Sequence, residues 1–227
     1  MANESYRQND LEKAVRGYEY LASSGIKNGY LYYNLGNTFF RMGELGRSIL
    51  WYERALEYLP RFEDLQVNYR YARNQLVDED FRIQEYTGTL GFFVALYRYF
   101  NLRESLWITL VCFWVFGICL IAWIFMRHRT WGSRFRIPCW ITGLLFIIFF
   151  LSTSAKIYQN EFVTRAIVMS SAVDIKTGPS AEFSTSFTLH EGTQVKVVQN
   201  QGDWVRITLP SNPAFNGWMP RSSIQVI

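Results

Sequence analysis

Cysteine is scarce in this chain, and its placement limits the sites that the sequence can build. The three cysteines, Cys112, Cys119 and Cys139, all lie in strongly apolar segments. Both outer parts of the chain therefore lack a disulfide framework and a cysteine-based zinc site. Cys112 and Cys119 share a helix face, which is compatible with a metal or redox pair. We expect them instead to act as small apolar side chains, because free cysteine behaves as one.

Catalytic motifs are also missing. The two histidines, His128 and His190, have no nucleophile or paired carboxylate near them in sequence. The chain contains no phosphate-binding glycine loop, no HExxH motif and no glycosidase-like carboxylate pair. The acidic run at residues 78–80 is expected to be a solvated helix end rather than a site. We therefore predict a protein that is not an enzyme and that takes no cofactor and no metal; a membrane-embedded activity at Cys112 or Cys139 is the alternative.

Charge is absent from two long runs, residues 106–126 and 137–155. At 1.5 Å per residue, a helix of either length covers most or all of the ~30 Å hydrocarbon core of a bilayer. Pro138 lies in the expected first turn of the second run, where its missing N–H costs nothing. Tryptophans suited to a membrane interface lie near the ends of the runs, at Trp107, Trp123, Trp131 and Trp140. The sequence predicts a transmembrane hairpin; a buried helix pair in a soluble protein is the alternative.

Acidic residues are absent between the two runs, where the basic residues are Arg127, His128, Arg129, Arg134 and Arg136. Residues 81–165 hold nine basic and three acidic side chains, so the excess positive charge lies beside the apolar runs. This placement favours a membrane surface as partner and excludes a nucleic-acid interface on either outer segment. The positive-inside rule places the loop in the cytoplasm and both termini in the periplasm, if the protein is bacterial. The inverted topology, with both outer domains cytoplasmic, is the alternative.

Export of the amino-terminal segment would need a signal peptide. No charged segment followed by an apolar one precedes Asn3, so we expect the true start to lie upstream of this sequence.

Just before the first apolar run, residues 89–100 are rich in aromatic residues and too short to cross a bilayer. We expect a helix lying in the membrane interface, with Arg98 reaching the headgroups. A packed linker helix is the alternative.

A 34-residue period is present near the amino terminus, because residues 14, 18 and 21 are followed by similar residues at 48, 52 and 55. Residues 29–62 resemble a complete tetratricopeptide repeat. The positions that carry this resemblance are Tyr32, Leu35, Gly36, Phe39, Gly43, Tyr52, Ala55, Leu56 and Pro60. Gly36 is expected to let two helices approach closely, while Gly43 and Pro60 end them. Ser48 stands where the family usually has alanine.

Residues 3–26 resemble most of a preceding repeat, and residues 63–77 a closing helix, which predicts an array of about five helices. The first helix of the full repeat and the closing helix are expected to line one concave groove. Amides alternate with tyrosines there, which suits recognition of a peptide segment. The predicted groove residues are Tyr30, Tyr33, Asn34, Asn37, Arg41, Asn68, Tyr71 and Gln75. A solvated face with ordinary packing is the alternative.

From residue 166 onward the pattern changes to short alternating apolar runs separated by turn signals, which is typical of a small antiparallel barrel. The motifs VDIKTGP (173–179), LHEGTQVKV (189–197), GDW (202–204) and GWMP (217–220) follow in the order of bacterial SH3-type domains. The resemblance covers residues 166–227. It implies an aromatic groove for peptides or cell-wall fragments at Trp204, Trp218 and Pro220. Ile224 stands where a groove tyrosine is often found, so a polyproline ligand is not expected; both tryptophans closing the barrel is the alternative.

The order of these parts is similar to that of the small tetratricopeptide protein of bacterial aerotolerance (Bat) operons. Residues 2–21 (ANESYRQNDLEKAVRGYEYL) and 30–60 (YLYYNLGNTFFRMGELGRSILWYERALEYLP) carry this resemblance. It implies an inner-membrane protein with exported domains and a role in aerotolerance or envelope stress resistance. It also implies partners from the same operon, namely membrane proteins with von Willebrand A domains and a MoxR-type ATPase.

We therefore predict a multidomain membrane protein with an all-α TPR solenoid, two transmembrane helices and a small all-β SH3-like barrel. The predicted boundaries are 1–80 for the repeats, 81–104 for a linker with the interfacial helix, 105–126 and 137–155 for the spans, 127–136 for the basic loop, 156–165 for a linker and 166–227 for the barrel. The predicted function is a scaffold that assembles protein partners at the periplasmic face of the inner membrane. The competing hypothesis is a cell-wall-sensing module whose barrel binds peptidoglycan.

Overall fold

The computed structural model describes residues 2–78, 88–128 and 132–227. It divides into two compact units: Met1–Gly91 with Val163–Ile227, and Phe92–Phe162. Several predicted features lie outside the described residues: Glu79 and Asp80 of the acidic run, part of the first linker, and Arg129 and Trp131 between the apolar runs. The first unit brings the amino-terminal helices and the carboxy-terminal strands into one body.

The amino-terminal part of the first unit is a series of antiparallel helices. Their bounds are α1 (Ala2–Arg7), α2 (Leu11–Ser23), α3 (Gly29–Arg41), α4 (Leu45–Tyr58) and α5 (Glu63–Arg73). Side chains cap two of the helices. Asp10 accepts from the backbone N–H of Lys13, and the Asn28 Oδ1 accepts from the N–H groups of Tyr30 (2.8 Å) and Leu31 (3.3 Å). These bonds satisfy donors that a helix leaves unpaired at its start.

The 34-residue period appears in the way that α1 and α3 end. Asn9 and Gly43, which are 34 positions apart, both have left-handed backbones, with φ of 61° and 78°. In each case the next backbone N–H donates to the carbonyl five residues earlier, at 2.9 Å from Asp10 and 3.0 Å from Glu44. This is the Schellman closure of a helix, in which glycine and asparagine are the favoured left-handed residues. The region is TPR-like in structure as well as in sequence.

α3 and α4 pack closely at Gly36, as the sequence predicts. A Cβ on Gly36 would lie 2.4 Å from the ring of Tyr52, a side chain that is almost fully buried. One turn earlier on α4, the Ser48 hydroxyl donates to the Gly36 carbonyl at 2.9 Å. Serine in place of the usual alanine is therefore accommodated by a hydrogen bond as well as by its small size.

The carboxy-terminal part is a seven-stranded antiparallel sheet with the order β3-β2-β6-β5-β4-β1-β7. The strands are β1 (Thr164–Val168), β2 (Ala172–Lys176), β3 (Thr185–His190), β4 (Gln194–Gln201), β5 (Trp204–Thr208), β6 (Asn216–Pro220) and β7 (Ile224–Val226). A short 3₁₀ turn, Arg221–Ser223, precedes β7. One apolar cluster fills the inner face and includes Val173, Ile175, Val205, Ile207 and Met219.

The sheet and the helices share buried contacts within the first unit. Ile167 of β1 is fully buried in the helical cluster that contains Ile49 and Leu76, whereas its neighbours Ala166 and Val168 are buried in the core of the sheet. A Cβ on Gly192, in the turn after β3, would lie 2.3 Å from the Leu76 side chain. β1 is therefore buried on both faces, and the two parts of the unit pack directly together.

The second unit is helical: most of α6 (Gly88–Tyr99), all of α7 (Leu102–Met126) and all of α8 (Gly132–Phe162). Two of these helices, α7 and α8, are long and apolar enough to cross a membrane. They run antiparallel, with the Thr109 and Thr153 hydroxyls 2.8 Å apart and the rings of Phe113 and Phe146 5.7 Å apart.

Both long helices extend beyond the predicted spans. α7 starts at Leu102, and α8 includes Arg134 and Arg136 before the second apolar run and Lys156 after it. Hydropathy marks only the part of a helix that suits lipid, whereas the helix continues wherever each further residue adds a backbone hydrogen bond. The expectation that Pro138 occupies the first turn is wrong. Pro138 lies inside α8, so one bond is missing from the helical ladder.

Candidate functional site

Seven of the eight predicted groove residues lie on α3 and α5, which pack side by side along the same direction; Gln75 lies in the turn just after α5. The ring of Tyr30 packs edge-on against Phe62 at 5.4 Å, and the ring of Phe40 against Tyr71 at 5.6 Å. Between these pairs, Asn68 of α5 donates to Asn37 of α3 at 2.9 Å. α3 and α5 therefore form one continuous surface with aromatic pairs at both ends.

The middle of this surface is an internal hydrogen-bond network. The Asn37 Oδ1 accepts from the Tyr52 hydroxyl (2.6 Å) and from the Asn68 Nδ2 (2.9 Å). The Asn68 Nδ2 also reaches the Tyr33 hydroxyl at 3.1 Å. Burial raises the pKa of Tyr52, so its phenol remains a neutral donor. Two of the four amides in the predicted groove, Asn37 and Asn68, thus join α3, α4 and α5 to one another.

Arg41 also makes contacts within the unit. Its Nη2 donates to the Asn9 Oδ1 at 2.6 Å, and its guanidinium lies 4.7 Å from the centre of the Tyr6 ring. These contacts join α3 to the end of α1. Asn34, one turn from Asn37, is half-buried, and its backbone carbonyl accepts from the Thr38 hydroxyl at 2.6 Å.

Four of the predicted groove residues are exposed. Tyr30 is 54% exposed and Tyr71 is 60% exposed. Arg41 at the end of α3 and Gln75 in the turn after α5 are exposed as well. We call Tyr30, Phe40, Phe62, Tyr71 and Gln75 the α3–α5 surface. Phe40 and Phe62 were not predicted as groove residues. For Phe40 a signal exists in the sequence, because it lies seven residues after Tyr33 on the same helical face. Rigid aromatic side chains of this kind contribute large contact areas to protein interfaces.

The sheet carries the other predicted groove. Trp204 of β5 lies opposite Pro220 of β6, and Trp218 lies opposite Arg206 on one side and Lys176 on the other. Because paired residues in an antiparallel sheet share a face, these five side chains lie on the same face. Both tryptophans are half-buried there, on the face opposite the buried Val205, Ile207 and Met219. We call this set the tryptophan face.

A charged group borders the tryptophan face. The Asp174 carboxylate accepts from the hydroxyls of Thr188 (3.0 Å) and Thr185 (3.3 Å), and it lies 3.6 Å from the Lys176 ammonium. The hydrogen bond from Thr188, followed by the charge of Lys176, lowers the pKa of this exposed carboxyl. Aromatic, cationic and anionic groups are thus fixed beside one another on the sheet.

The sequence analysis missed a polar cluster between α5 and the sheet. The Asp78 Oδ2 accepts from the His190 backbone N–H (2.7 Å) and the Thr193 hydroxyl (2.6 Å), and its Oδ1 lies 2.7 Å from the His190 Nδ1. The Asp78 side chain is only 7% exposed. The expectation of a solvated helix end is therefore wrong for Asp78. Its partners are more than a hundred residues away, so no local pattern reveals them.

This cluster is structural rather than catalytic. The Thr193 hydroxyl donates to the Asp78 carboxylate and not to the imidazole. A relay that activates a nucleophile needs that hydroxyl on the histidine. A second polar contact supports the same interface, because the Arg165 guanidinium of β1 pairs with Glu57 at 2.5 Å and lies 3.9 Å from Glu53. The two clusters hold the sheet against α4 and α5.

Comparison with known families agrees with the repeat pattern. The family profile described as tetratricopeptide repeat matches residues 29–62, which are α3, α4 and the start of the turn into α5. Comparison with curated proteins finds no match. Tetratricopeptide repeats are non-catalytic modules that generally mediate protein–protein interactions, and this chain contains one such repeat in a helical amino-terminal region.

Proposed function

We propose that the protein is a non-enzymatic scaffold, anchored in a membrane by the α7–α8 hairpin, that binds protein partners through the α3–α5 surface. The observation that carries this proposal is the first unit itself. A tetratricopeptide repeat and an antiparallel sheet form one body, and that body presents exposed aromatic residues. Such a body offers surfaces for partner binding.

The membrane part of the proposal rests on the length of two helices and on the path of the chain. The first unit contains residues from before α7 and after α8. Packing of these two segments requires that both lie on the same side of a bilayer. A single crossing would separate them, whereas two crossings would not. The length and the apolar character of α7 and α8 therefore support a hairpin, and the aromatic sequence of α6 supports a place at the membrane interface.

The α3–α5 surface is the better candidate for partner binding, because the amides of Asn37 and Asn68 are already engaged. We expect Tyr30→Ala with Tyr71→Ala to reduce partner capture at least tenfold, since exposed interface tyrosines often contribute more than 1 kcal/mol each. Crosslinking with mass spectrometry on native membranes would identify the partners, and capture by the variant would then be quantified. Tyr20→Ala is the matched control, because Tyr20 is 72% exposed on α2. Undiminished capture by the double variant would contradict this site.

The finer assignments extend this proposal. The motif order in residues 166–227 supports an SH3-type barrel, and the order of the parts supports a Bat-operon protein. On that basis the partners are membrane proteins with von Willebrand A domains and a MoxR-type ATPase, in an aerotolerance or envelope stress complex. The excess of arginine in residues 127–136 supports a periplasmic location for the first unit and a bacterial inner membrane as its anchor.

A second candidate function is cell-wall sensing through the tryptophan face. Trp204, Trp218 and Pro220 share one face, and stacking of aromatic rings on sugars or peptides is compatible with that arrangement. The test is sedimentation of the whole chain in detergent with purified peptidoglycan sacculi. The whole chain is needed because a fragment starting at residue 166 would expose Ile167. Saturable binding that Trp204→Ala with Trp218→Ala abolishes would favour sensing, and lack of binding would favour scaffolding alone.

A further inference from the structure

Positive charge is concentrated at the end of α7 and at the start of α8. Arg127 follows the last residue of α7, and Arg134 and Arg136 lie in the first turns of α8. All three side chains are exposed. Residues 127–136 contain no aspartate or glutamate. The Arg127 Nε donates to the His128 Nε2 at 3.0 Å, so this bond does not use the terminal nitrogens of the guanidinium.

The helix register brings these cations to the same level. Thr109 pairs with Thr153, and the Cβ position of Gly143 lies 3.0 Å from the Phe116 ring. Residues nearer the end of α7 therefore lie opposite residues nearer the start of α8. Continuing that register places Arg127 level with the first turn of α8, which contains Arg134. The three arginines therefore lie at the same end of the helix pair, with one on α7's end and two on α8.

Exposed apolar side chains follow the cations along both helices. Phe125 of α7 is 80% exposed, and Trp140 of α8 is 76% exposed, with Ile137 between Arg136 and Trp140. Along both helices, the guanidinium groups lie nearest this end of the helix pair, and the aromatic and aliphatic side chains lie next to them. The same order is found in a phospholipid, whose phosphate lies outside its acyl chains. Guanidinium groups are suited to phosphate because they donate several hydrogen bonds in one plane.

We propose that Arg127, Arg134 and Arg136 bind the phosphate headgroups of anionic phospholipids in the leaflet at this end of the helix pair. This site rests on the proposed membrane hairpin. Its ligand class is an anionic glycerophospholipid, whose phosphodiester contacts the arginines while its chains lie on Phe125, Ile137 and Trp140. A zwitterionic lipid has the same phosphate but carries a compensating cation, which the arginine cluster repels.

The test measures lipid selectivity with the whole chain reconstituted into phosphatidylcholine bilayers. Electron spin resonance of spin-labelled phosphatidylglycerol or phosphatidylcholine reports the fraction of lipid immobilised by the protein. We expect several-fold stronger association of the phosphatidylglycerol label, decreasing at high salt. Arg127→Gln with Arg136→Gln should remove most of that selectivity. Arg16→Gln with Arg70→Gln is the matched control, because it removes two exposed charges from α2 and α5 of the first unit and should preserve selectivity.

The outcomes are separable. Equal association of the two labels with the unaltered chain would overturn the site, as would full selectivity in the Arg127/Arg136 variant or equal loss in the control. The bilayers have identical leaflets, so the orientation of the inserted chain does not affect the result. If no immobilised lipid is found with either label, the membrane hairpin itself is wrong, and this site is wrong with it.

Discussion

Tyr52 and Asn37 show how single residues join the helices of the first unit. Tyr52 is buried between α3 and α5, and its hydroxyl donates to the amide oxygen that also accepts from Asn68. The equivalent bond one repeat earlier runs from Tyr18 to Asn3, also at 2.6 Å. A tyrosine on the second helix and an asparagine on the first are thus a recurring pair in the array. The pair matters because a buried hydroxyl without a partner is costly.

We expect Asn37→Ala to lower the free energy of unfolding of the first unit by about 1–3 kcal/mol, because the Tyr52 hydroxyl loses its acceptor. In the double variant with Tyr52→Phe, the donor is removed together with its acceptor. The loss of unfolding free energy in the double variant should therefore be smaller than the sum of the two single losses. Urea unfolding in detergent, followed by circular dichroism, would measure all four proteins of this cycle. Strictly additive losses would contradict the bond.

Gly36 determines how closely α3 and α4 approach. Gly36→Ala would place a methyl group 2.4 Å from a ring that is itself buried. We expect a loss of about 1–3 kcal/mol, the usual cost of an overpacked contact. Gly117→Ala is the control, because a Cβ there has no heavy atom within 4 Å. A Gly36→Ala protein that unfolds like the unaltered one would mean that the helices can separate at little cost.

At the scale of elements, helices α3 and α4 could be predicted because their signals are local. Gly43 ends α3 and Pro60 follows α4 in the sequence itself. The two long apolar helices α7 and α8 could also be predicted, but their ends could not, since Arg134 and Lys156 are polar residues in continuous helix. The roles of Asn37 and Asn68 could not be predicted either, because an amide suits an internal partner as well as a peptide.

The contact between helices and sheet depends on residues that are distant in sequence. One signal does exist: residues 166–168 are consecutive apolar residues in a region that otherwise alternates. A strand of this kind is buried on both faces. In β1, Val168 faces the sheet core and Ile167 faces α4 and α5. The sequence thus indicates that β1 has a second partner but not that the partner is the repeat.

Asp78 is the residue through which this contact can be tested. We expect Asp78→Ala to destabilise the first unit by about 1–3 kcal/mol, because the His190 N–H and the Thr193 hydroxyl lose their acceptor. Hydrogen exchange measured by mass spectrometry should show faster exchange in both α5 and the turn between β3 and β4. Glu12→Ala, an exposed acid on α2, is the control and should leave both segments unchanged. Faster exchange in one segment only would mean that the two parts open independently.

At the scale of the whole molecule, the first unit contains both the amino-terminal and the carboxy-terminal segments of the chain. The repeats, the sheet and the polar clusters between them must reach the same compartment to pack together. This requirement holds for either orientation of the proposed hairpin. The charge of residues 127–136, which contain four arginines and no acid, favours one of the two orientations. Because loops of that composition tend to stay in the cytoplasm, we propose the orientation in which the first unit is periplasmic.

The orientation can be measured with cysteines at Glu12 and Lys196, two exposed positions on the helices and the sheet. In a background with Cys112, Cys119 and Cys139 replaced by alanine, a membrane-impermeant maleimide should label both positions once the outer membrane is permeabilised. Labelling that requires a permeabilised inner membrane would contradict a periplasmic first unit while preserving the hairpin. Labelling of only one position would be more serious, because the helices and the sheet could not then share a compartment. The chain would then cross the membrane an odd number of times. In that arrangement the contacts of Ile167 with the helices and of Asp78 with the sheet could not form.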